Sequence, residues 1–252
     1  MTDVDTIARG FASALRGNAP YAAPSLTRAL SGDEAHTVQR AFNALRTEPL
    51  IGFKSAVNAA PLQTALGLSG PITGALFGTG ERAAGSAIRR TDYRALLVET
   101  ELGFRTARRI DTPVKSVPEL RAATTTCTPM IELADPGFDR ARMTGTDLIA
   151  ANSASAGFIR GRAVGLGAVD VNGVHVSFRR DGELLHEARS ADLMGDQWEA
   201  LKWLVNRVLE IGYVIEAGHL LMTGSLGPAH PAAPGRYTAE FSQLGTIEFD
   251  VQ

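Results

Sequence analysis

The first fifty residues carry apolar side chains at intervals of three or four, as on one face of a helix. The residues in this pattern are Ile7, Phe11, Leu15, Leu26 and Leu30, with a break at 17–20 that contains glycine and proline. A second helix is predicted to begin near Ser31, because Ser31-Gly32-Asp33-Glu34 resembles a capping box. The pattern therefore predicts an N-terminal helical segment over residues 1–48.

From residue 49 onward, the pattern changes to short apolar or alternating runs that are typical of strands. The clearest run extends from Arg94 to Arg105, where one side of the alternation is apolar and the other carries Glu99 and Glu101. Other strands are predicted at 51–57, 130–133, 158–168, 174–179, 183–188, 220–223, 237–241 and 246–251, and helices at 62–66, 117–123 and 197–211. The segment from Ser69 to Gly80 is rich in glycine, proline and threonine and is predicted to be a loop.

These elements predict a single α+β domain over residues 1–252, in which a β-rich catalytic core occupies residues 49–252. Asp181-Gly182 is a hairpin signal between two of the strands, and we expect a large, mostly antiparallel sheet system. We find no internal repeat, linker or low-complexity segment.

Composition and charge exclude several classes of function. The chain is 44% hydrophobic and 21% charged, and its formal net charge of −2 gives no general attraction to nucleic acid or to an anionic membrane. No run of about 18 apolar residues predicts a membrane-spanning helix. Cys127 is the only cysteine, and the N-terminus lacks the pattern of a signal peptide, so we expect a cytoplasmic protein.

The strongest candidates for chemistry are carboxylates on strands. Glu99 and Glu101 are two residues apart, so in a strand they point to the same side, about 7 Å apart along the chain. Glu132 is flanked by apolar residues on both sides. Together the three carboxylates could hold a hard divalent cation. The alternative is an amphipathic strand with its polar side in water and a Glu132 that is paired or at a sheet edge.

Two further segments contain candidate binding residues. Lys54 lies in an apolar strand and needs an anionic partner, either a substrate carboxylate or a structural Asp or Glu. Gly224-Ser225 ends a predicted strand, and its small residues either let backbone amides approach an anion or form a tight turn. The five histidines are scattered, and no pair has the spacing of a metal motif.

Taken in order along the chain, these segments resemble those of the 2-oxopent-4-enoate hydratase and 4-oxalocrotonate decarboxylase family, a branch of the fumarylacetoacetate hydrolase superfamily. The resemblance covers nearly the whole chain, and each segment alone is weakly specific. The matching segments are Ala35-His36-Thr37-Val38-Gln39 (with His36 in place of a tyrosine), Gly52-Phe53-Lys54, Gly74-Ala75-Leu76-Phe77, Val98-Glu99-Thr100-Glu101-Leu102, Ile131-Glu132-Leu133-Ala134-Asp135, Asp147 with Asn152, Trp203-Leu204-Val205-Asn206 and Leu221-Met222-Thr223-Gly224-Ser225.

The resemblance implies a fumarylacetoacetate hydrolase-like mixed β-sheet roll with an N-terminal helical segment. It implies Mg²⁺ or Mn²⁺ held by Glu99, Glu101 and Glu132, and a small 2-oxo acid substrate chelated through its carboxylate and 2-oxo oxygens. Lys54 and Asn152 would be catalytic, with Lys54 meeting the substrate carboxylate or the enolate. The substrate would also contact Ser225 and the backbone of Leu76 and Phe77. Family members are usually homo-oligomers, and some form a complex with a related enzyme.

The chain also departs from the family pattern. Gly78-Thr79 and Ala151 stand where the family usually carries acidic residues, and the nearest acid to the first of these is Glu81. Three hypotheses follow. The first is a metal-dependent lyase, a hydratase or decarboxylase acting on an unsaturated 2-oxo or 2-hydroxy acid. The second is tautomerase, C–C hydrolase or cyclase chemistry on a larger metabolite, for which these small residues could widen the pocket. The third is a catalytically reduced partner subunit.

Overall fold

Two amphipathic helices precede the sheets in the computed structural model, which describes residues 3–138 and 142–252. Helix α1 spans Asp3–Arg16 and helix α2 spans Gly32–Ala44. The predicted capping box is confirmed, because Ser31 accepts from the backbone of Glu34 while the Glu34 side chain accepts from the backbone of Ser31. The helical continuation through Leu26 and Leu30 is wrong. Pro24 begins a single 3₁₀ turn there, and Leu26 is 59% exposed.

The other helices are short, apart from the last. They are α3 (Ala60–Ala65), α4 (Val117–Ala122), α5 (Gly145–Ala150) and α6 (Gln197–Glu210). The predicted helices at 62–66, 117–123 and 197–211 correspond to α3, α4 and α6 and are confirmed. No helix among the described residues is long and apolar enough to cross a membrane.

The strands begin after α2 and continue almost to the end of the chain. They are β1 (Leu50–Ala56), β2 (Ile72–Phe77), β3 (Glu81–Arg82), β4 (Ala87–Ile88), β5 (Leu97–Thr106), β6 (Thr124–Ala134), β7 (Ser155–Arg160), β8 (Val164–Gly165), β9 (His175–Arg180), β10 (Glu183–Arg189), β11 (Leu220–Ser225), β12 (His230–Pro231), β13 (Gly235–Phe241) and β14 (Gly245–Val251). Two sequence interpretations are wrong. The stretch 69–80 contains the buried strand β2, and the predicted strand at 158–168 is divided between β7 and β8.

Within the described residues the strands form two sheets. The larger has the order β2-β1-β11-β5-β6-β7-β3, with β12 beside β5 and β8 beside β6. The smaller has the order β10-β9-β13-β14-β4. Most pairs are antiparallel, as predicted, and the exceptions are β1–β11, β3–β7 and β4–β14. Asp181 and Gly182 both have positive φ and form the predicted hairpin turn between β9 and β10.

The main apolar core joins both sheets and α6, and it fixes which side of β5 is polar. Val98, Leu102 and Phe104 are 0% exposed in this core, which also contains Phe178 from the smaller sheet. Because strand residues alternate between faces, Glu99 and Glu101 must point away from this core, to the other side of the larger sheet. A second apolar cluster covers α1, α2 and α5.

Candidate active site

Three carboxylates meet on one face of the larger sheet. In the antiparallel pair β5–β6, Glu99 lies directly opposite Glu132, and Glu101 follows two residues later on the same face. One carboxylate oxygen from each residue lies within 4.8 Å of the others. Glu101 and Glu132 are buried, and Glu99 is half-buried. The sequence correctly predicted that Glu99 and Glu101 lie on one face of a strand. The pairing of β5 with β6 brings Glu132 to the same face.

Burial makes this cluster electrostatically costly. Desolvation, followed by the negative charges of Glu132 and Glu99, raises the pKa of Glu101 well above its usual range. Glu101 Oε2 accepts a hydrogen bond from the backbone N–H of Gly224 at 3.0 Å. Its Oε1 atom is buried and has no hydrogen-bond partner among the residues that the structure describes. A buried carboxylate oxygen in this state is suited to binding a cation.

The backbone conformation at Gly224 favours glycine. Its φ of 116° lies in the region that favours glycine, and a Cβ atom there would clash with Asn58 Oδ1. The loop at Gly224-Ser225 therefore does bring a backbone amide to an anion, and that anion is the Glu101 side chain.

Lys54 reaches the carboxylates from β1. Its Nζ atom lies 2.7 Å from Glu132 Oε1, and both side chains are almost fully buried. Burial lowers the pKa of the Lys54 ammonium, but the charges of Glu132, Glu99 and Glu101 more than offset this effect, so the pKa is raised. Lys54 therefore keeps its proton, and its structural partner is Glu132.

The donor set fits a hard divalent cation. It offers three carboxylate oxygens, which Mg²⁺ prefers to nitrogen or sulfur ligands. Three carboxylates and one ammonium carry a formal charge of −2, which a divalent cation would neutralise. Glu101 Oε1, which lacks another partner within the described chain, is the atom that most needs this cation.

The carboxylates lie beside a cavity of about 550 Å³ whose walls include Lys54, Glu99 and Ser225. Ser225 is half-buried, and its hydroxyl donates to the carbonyl of Gly227 at 3.0 Å. The cavity wall also contains residues that the sequence did not identify, including Asn58, Leu62, Leu66, Met143 and Leu148. Their only sequence signal was their position next to the predicted site segments, because apolar wall residues resemble core residues.

Leu76 and Phe77 are not among the residues that line this cavity. Leu76 is buried in a small apolar cluster with Met130 and Met222, and the Arg46 guanidinium lies 3.9 Å from the centre of the Phe77 ring. In the same segment, Gly74 on β2 lies directly opposite Lys54 on β1.

Asn152 holds two parts of the fold together. Its Oδ1 accepts from the backbone N–H of Ala75 at 2.8 Å and from Asn43 at 3.0 Å. Its Nδ2 donates to the carbonyl of Ala75 at 2.9 Å. This amide thereby ties the end of α5 to β2, next to Gly74, and Asn152 itself does not line the cavity.

The small residues that depart from the family pattern also lie outside the cavity. Gly78 packs near Pro49, and Ala151 lines a different hollow beside Arg46 and Arg94. Glu81 forms an ion pair with Arg160 at 2.7 Å. The interpretation that Gly78, Thr79 and Ala151 widen the pocket is therefore wrong for this cavity, whose size comes from other walls.

The chain is similar to curated enzymes over most of its length. It is 28% identical over 218 residues to a 2-keto-4-pentenoate hydratase of Paraburkholderia phymatum. The matched region covers 84% of this chain and 83% of the relative. It is 25% identical over 213 residues to the 4-oxalocrotonate decarboxylase of a Pseudomonas species, covering 84% and 80%. No protein-family model matches the chain. The predicted resemblance to hydratases and decarboxylases of this kind is confirmed.

The fold is that of a solved decarboxylase. The structure of 4-oxalocrotonate decarboxylase from Pseudomonas putida G7 complexed with magnesium and adipate superposes with a TM-score of 0.93 at 22% identity, covering 100% of this chain and 99% of that one. The α+β, fumarylacetoacetate hydrolase-like fold that the resemblance implied is thereby confirmed.

Proposed function

We propose that this protein is a divalent-metal-dependent lyase, a hydratase or decarboxylase, that acts on an unsaturated 2-oxo or 2-hydroxy acid. The observation that carries the proposal is the cluster of three carboxylates, Glu99, Glu101 and Glu132, with Lys54 beside it and a cavity in front of it. The similar enzymes are named for these two reactions, and one solved relative is complexed with magnesium.

The three glutamates would hold the metal, which when bound would polarise the carboxylate and 2-oxo oxygens of the acid and stabilise an enolate. Lys54 contributes a fixed positive charge in a buried place, where attraction to an anion is stronger than in water. In the metal-free protein the neighbouring carboxylates raise the pKa of Lys54, and we propose that its positive charge faces the bound acid. Ser225 would contact the acid from the cavity wall.

The choice between magnesium and manganese, and the roles of Leu76, Phe77 and Asn152, stay predictions. Both metals suit three carboxylate ligands. We also propose that residues 1–252 form one domain, supported by the core shared between the two sheets. We further propose that the protein is cytoplasmic and that it forms a homo-oligomer or a complex with a related enzyme. Light scattering on the purified protein would test the homo-oligomer.

The deciding experiment is calorimetric titration of Mg²⁺ into metal-free protein, with and without oxalate as a mimic of the 2-oxo acid. We expect the wild type to bind Mg²⁺ and oxalate to tighten that binding. Glu101→Gln should lose Mg²⁺ binding, whereas Glu248→Gln, which changes an exposed glutamate on β14 in the same way, should behave like the wild type. If the wild type binds neither Mg²⁺ nor oxalate, the proposal fails.

A further inference from the structure

The cavity in front of the carboxylates has two charged lining residues and an otherwise mostly apolar wall. Its charged lining residues are the half-buried Glu99 and the deeply buried Lys54, which is 1% exposed. Most of the other lining residues are apolar, and one of them, Leu62 on α3, is 49% exposed. Other apolar lining residues are Val57, Leu66, Leu97, Pro136, Met143, Leu148 and Pro228. An acid with its carboxylate at the floor would therefore extend its other end among apolar side chains.

Among the described residues, this lining offers no second positive charge for an anion. Lys54 is the only cation among the described residues that line the cavity, and it is already paired with Glu132. A second carboxylate at the far end of a substrate would leave water for an apolar wall without a positive partner, which strongly disfavours its charged form. A hydrocarbon group at the same place would be stabilised by burial.

The volume of the cavity exceeds that of a five-carbon acid. At the space that water occupies in the liquid, about 30 Å³ per non-hydrogen atom, the eight such atoms of 2-oxopent-4-enoate need about 240 Å³. The cavity holds about 550 Å³. More than half of it would remain beyond such a substrate, and that remainder is bounded mainly by apolar side chains.

We infer that the substrate of this site is a 2-oxo acid with one carboxylate and an apolar tail several carbons long, which lies against Leu62, Leu66, Met143 and Leu148. This inference rests on the proposed function, because it places the 2-oxo acid group at the three glutamates. It assigns to α3 and α5 the selection of substrate by the length and polarity of the tail.

The test measures binding of straight-chain 2-oxo acids, from pyruvate to 2-oxooctanoate, to the Mg²⁺-loaded protein by calorimetry. Affinity should rise with each methylene group, by up to about fourfold per group as expected for full burial. 2-Oxohexanoate and 2-oxoadipate form a matched pair, because they have the same number of carbons and differ in a terminal carboxylate. We expect 2-oxohexanoate to bind at least tenfold more tightly.

Variants of the cavity wall test where the apolar tail of the 2-oxo acid lies. Leu62→Ala combined with Leu66→Ala should weaken 2-oxooctanoate binding by roughly tenfold or more, given two truncated apolar side chains, and leave pyruvate binding unchanged. Leu26→Ala, at an exposed leucine outside the cavity, should change neither. If oxalate and pyruvate bind but affinity does not rise with chain length, or 2-oxoadipate binds more tightly than 2-oxohexanoate, the inference is overturned while the proposed function stands. If neither oxalate nor pyruvate binds, the proposed function itself fails.

Discussion

Lys54 Nζ lies 2.7 Å from Glu132 Oε1, although their strands are not neighbours. In the sheet order, β11 and β5 separate β1 from β6, and a flat sheet would place the two backbones about 14 Å apart. The contact is possible because the larger sheet curls and because both side chains are long. The curl therefore gathers residues from β1, β5 and β6 around one point, and the charged floor of the cavity depends on it.

Replacing Lys54 should separate metal binding from acid binding. Lys54→Met removes a positive charge next to the three glutamates, so we expect Mg²⁺ to bind at least as tightly as in the wild type, and oxalate to bind at least tenfold more weakly. The metal-free variant should lose about 3–5 kcal/mol of stability, because Glu132 loses its buried partner. Calorimetry and chemical unfolding measure these effects.

Lys202→Met is the matched control for this experiment, because Lys202 forms a partly exposed pair with Glu199 on α6. Its stability should change by less than about 1 kcal/mol. Unchanged oxalate binding in Lys54→Met would contradict the assigned role of Lys54 in holding the acid.

Gly224 should tolerate no side chain. Gly224→Ala puts alanine at a φ of 116° and its Cβ atom against the Asn58 side chain, so we expect the strained backbone to relax and weaken the N–H hydrogen bond to Glu101 Oε2. We expect Mg²⁺ affinity to fall at least tenfold and the melting temperature to fall. Gly10→Ala is the control: nothing lies within 4 Å of a Cβ at Gly10, and alanine favours the interior of α1 by about 1 kcal/mol. Equal Mg²⁺ affinity in both variants would refute the role of the Gly224 amide.

Local sequence patterns predict which site residues share a face of one strand, but not which residues from distant segments meet. The alternation in β5 is local, and it places Glu99 and Glu101 on one face. The register that sets Glu132 opposite Glu99 joins distant segments, so only the resemblance to a known family indicates it. The partner of Lys54 follows from the curl of the sheet, which no local pattern shows. Strand β2 lies in a stretch whose glycine, proline and threonine content predicts a loop, and because all six of its residues are buried it shows no alternation that would indicate a strand.

Asn152 should contribute mainly to stability. Asn152→Ala leaves the buried N–H of Ala75 without its side-chain acceptor and puts alanine at a φ of 67°, which together should cost about 2–4 kcal/mol. Asn18→Ala also places alanine at positive φ, but on an exposed turn, so it should cost less. Chemical unfolding compares the two. A variant at Asn152 that kept wild-type stability and lost oxalate binding would instead indicate direct contact with the ligand.

The two histidines behind β5 should make stability depend on pH. His186 Nδ1 lies 2.8 Å from His230 Nε2, and the rings stack with centroids 5.0 Å apart. Burial, and then the charge of His230, lowers the pKa of His186 to about 4. In the unfolded chain the pKa of histidine is about 6.5, so between these values the unfolded state binds more protons than the folded state. The contribution of His186 is therefore complete above about pH 6.5 and is lost as the pH falls toward 4.

His186→Gln should remove this dependence. A single proton accounts for a slope of at most about 1.4 kcal/mol per pH unit, so the unfolding free energy of the wild type should fall more steeply than that of the variant between pH 6.5 and 4. His175→Gln changes an exposed histidine on β9 and should keep the wild-type slope. Chemical unfolding at half-unit steps of pH measures all three proteins. Parallel curves for the wild type and His186→Gln would mean that His186 takes up its proton equally in the folded and unfolded states, which would contradict a buried, neutral pair.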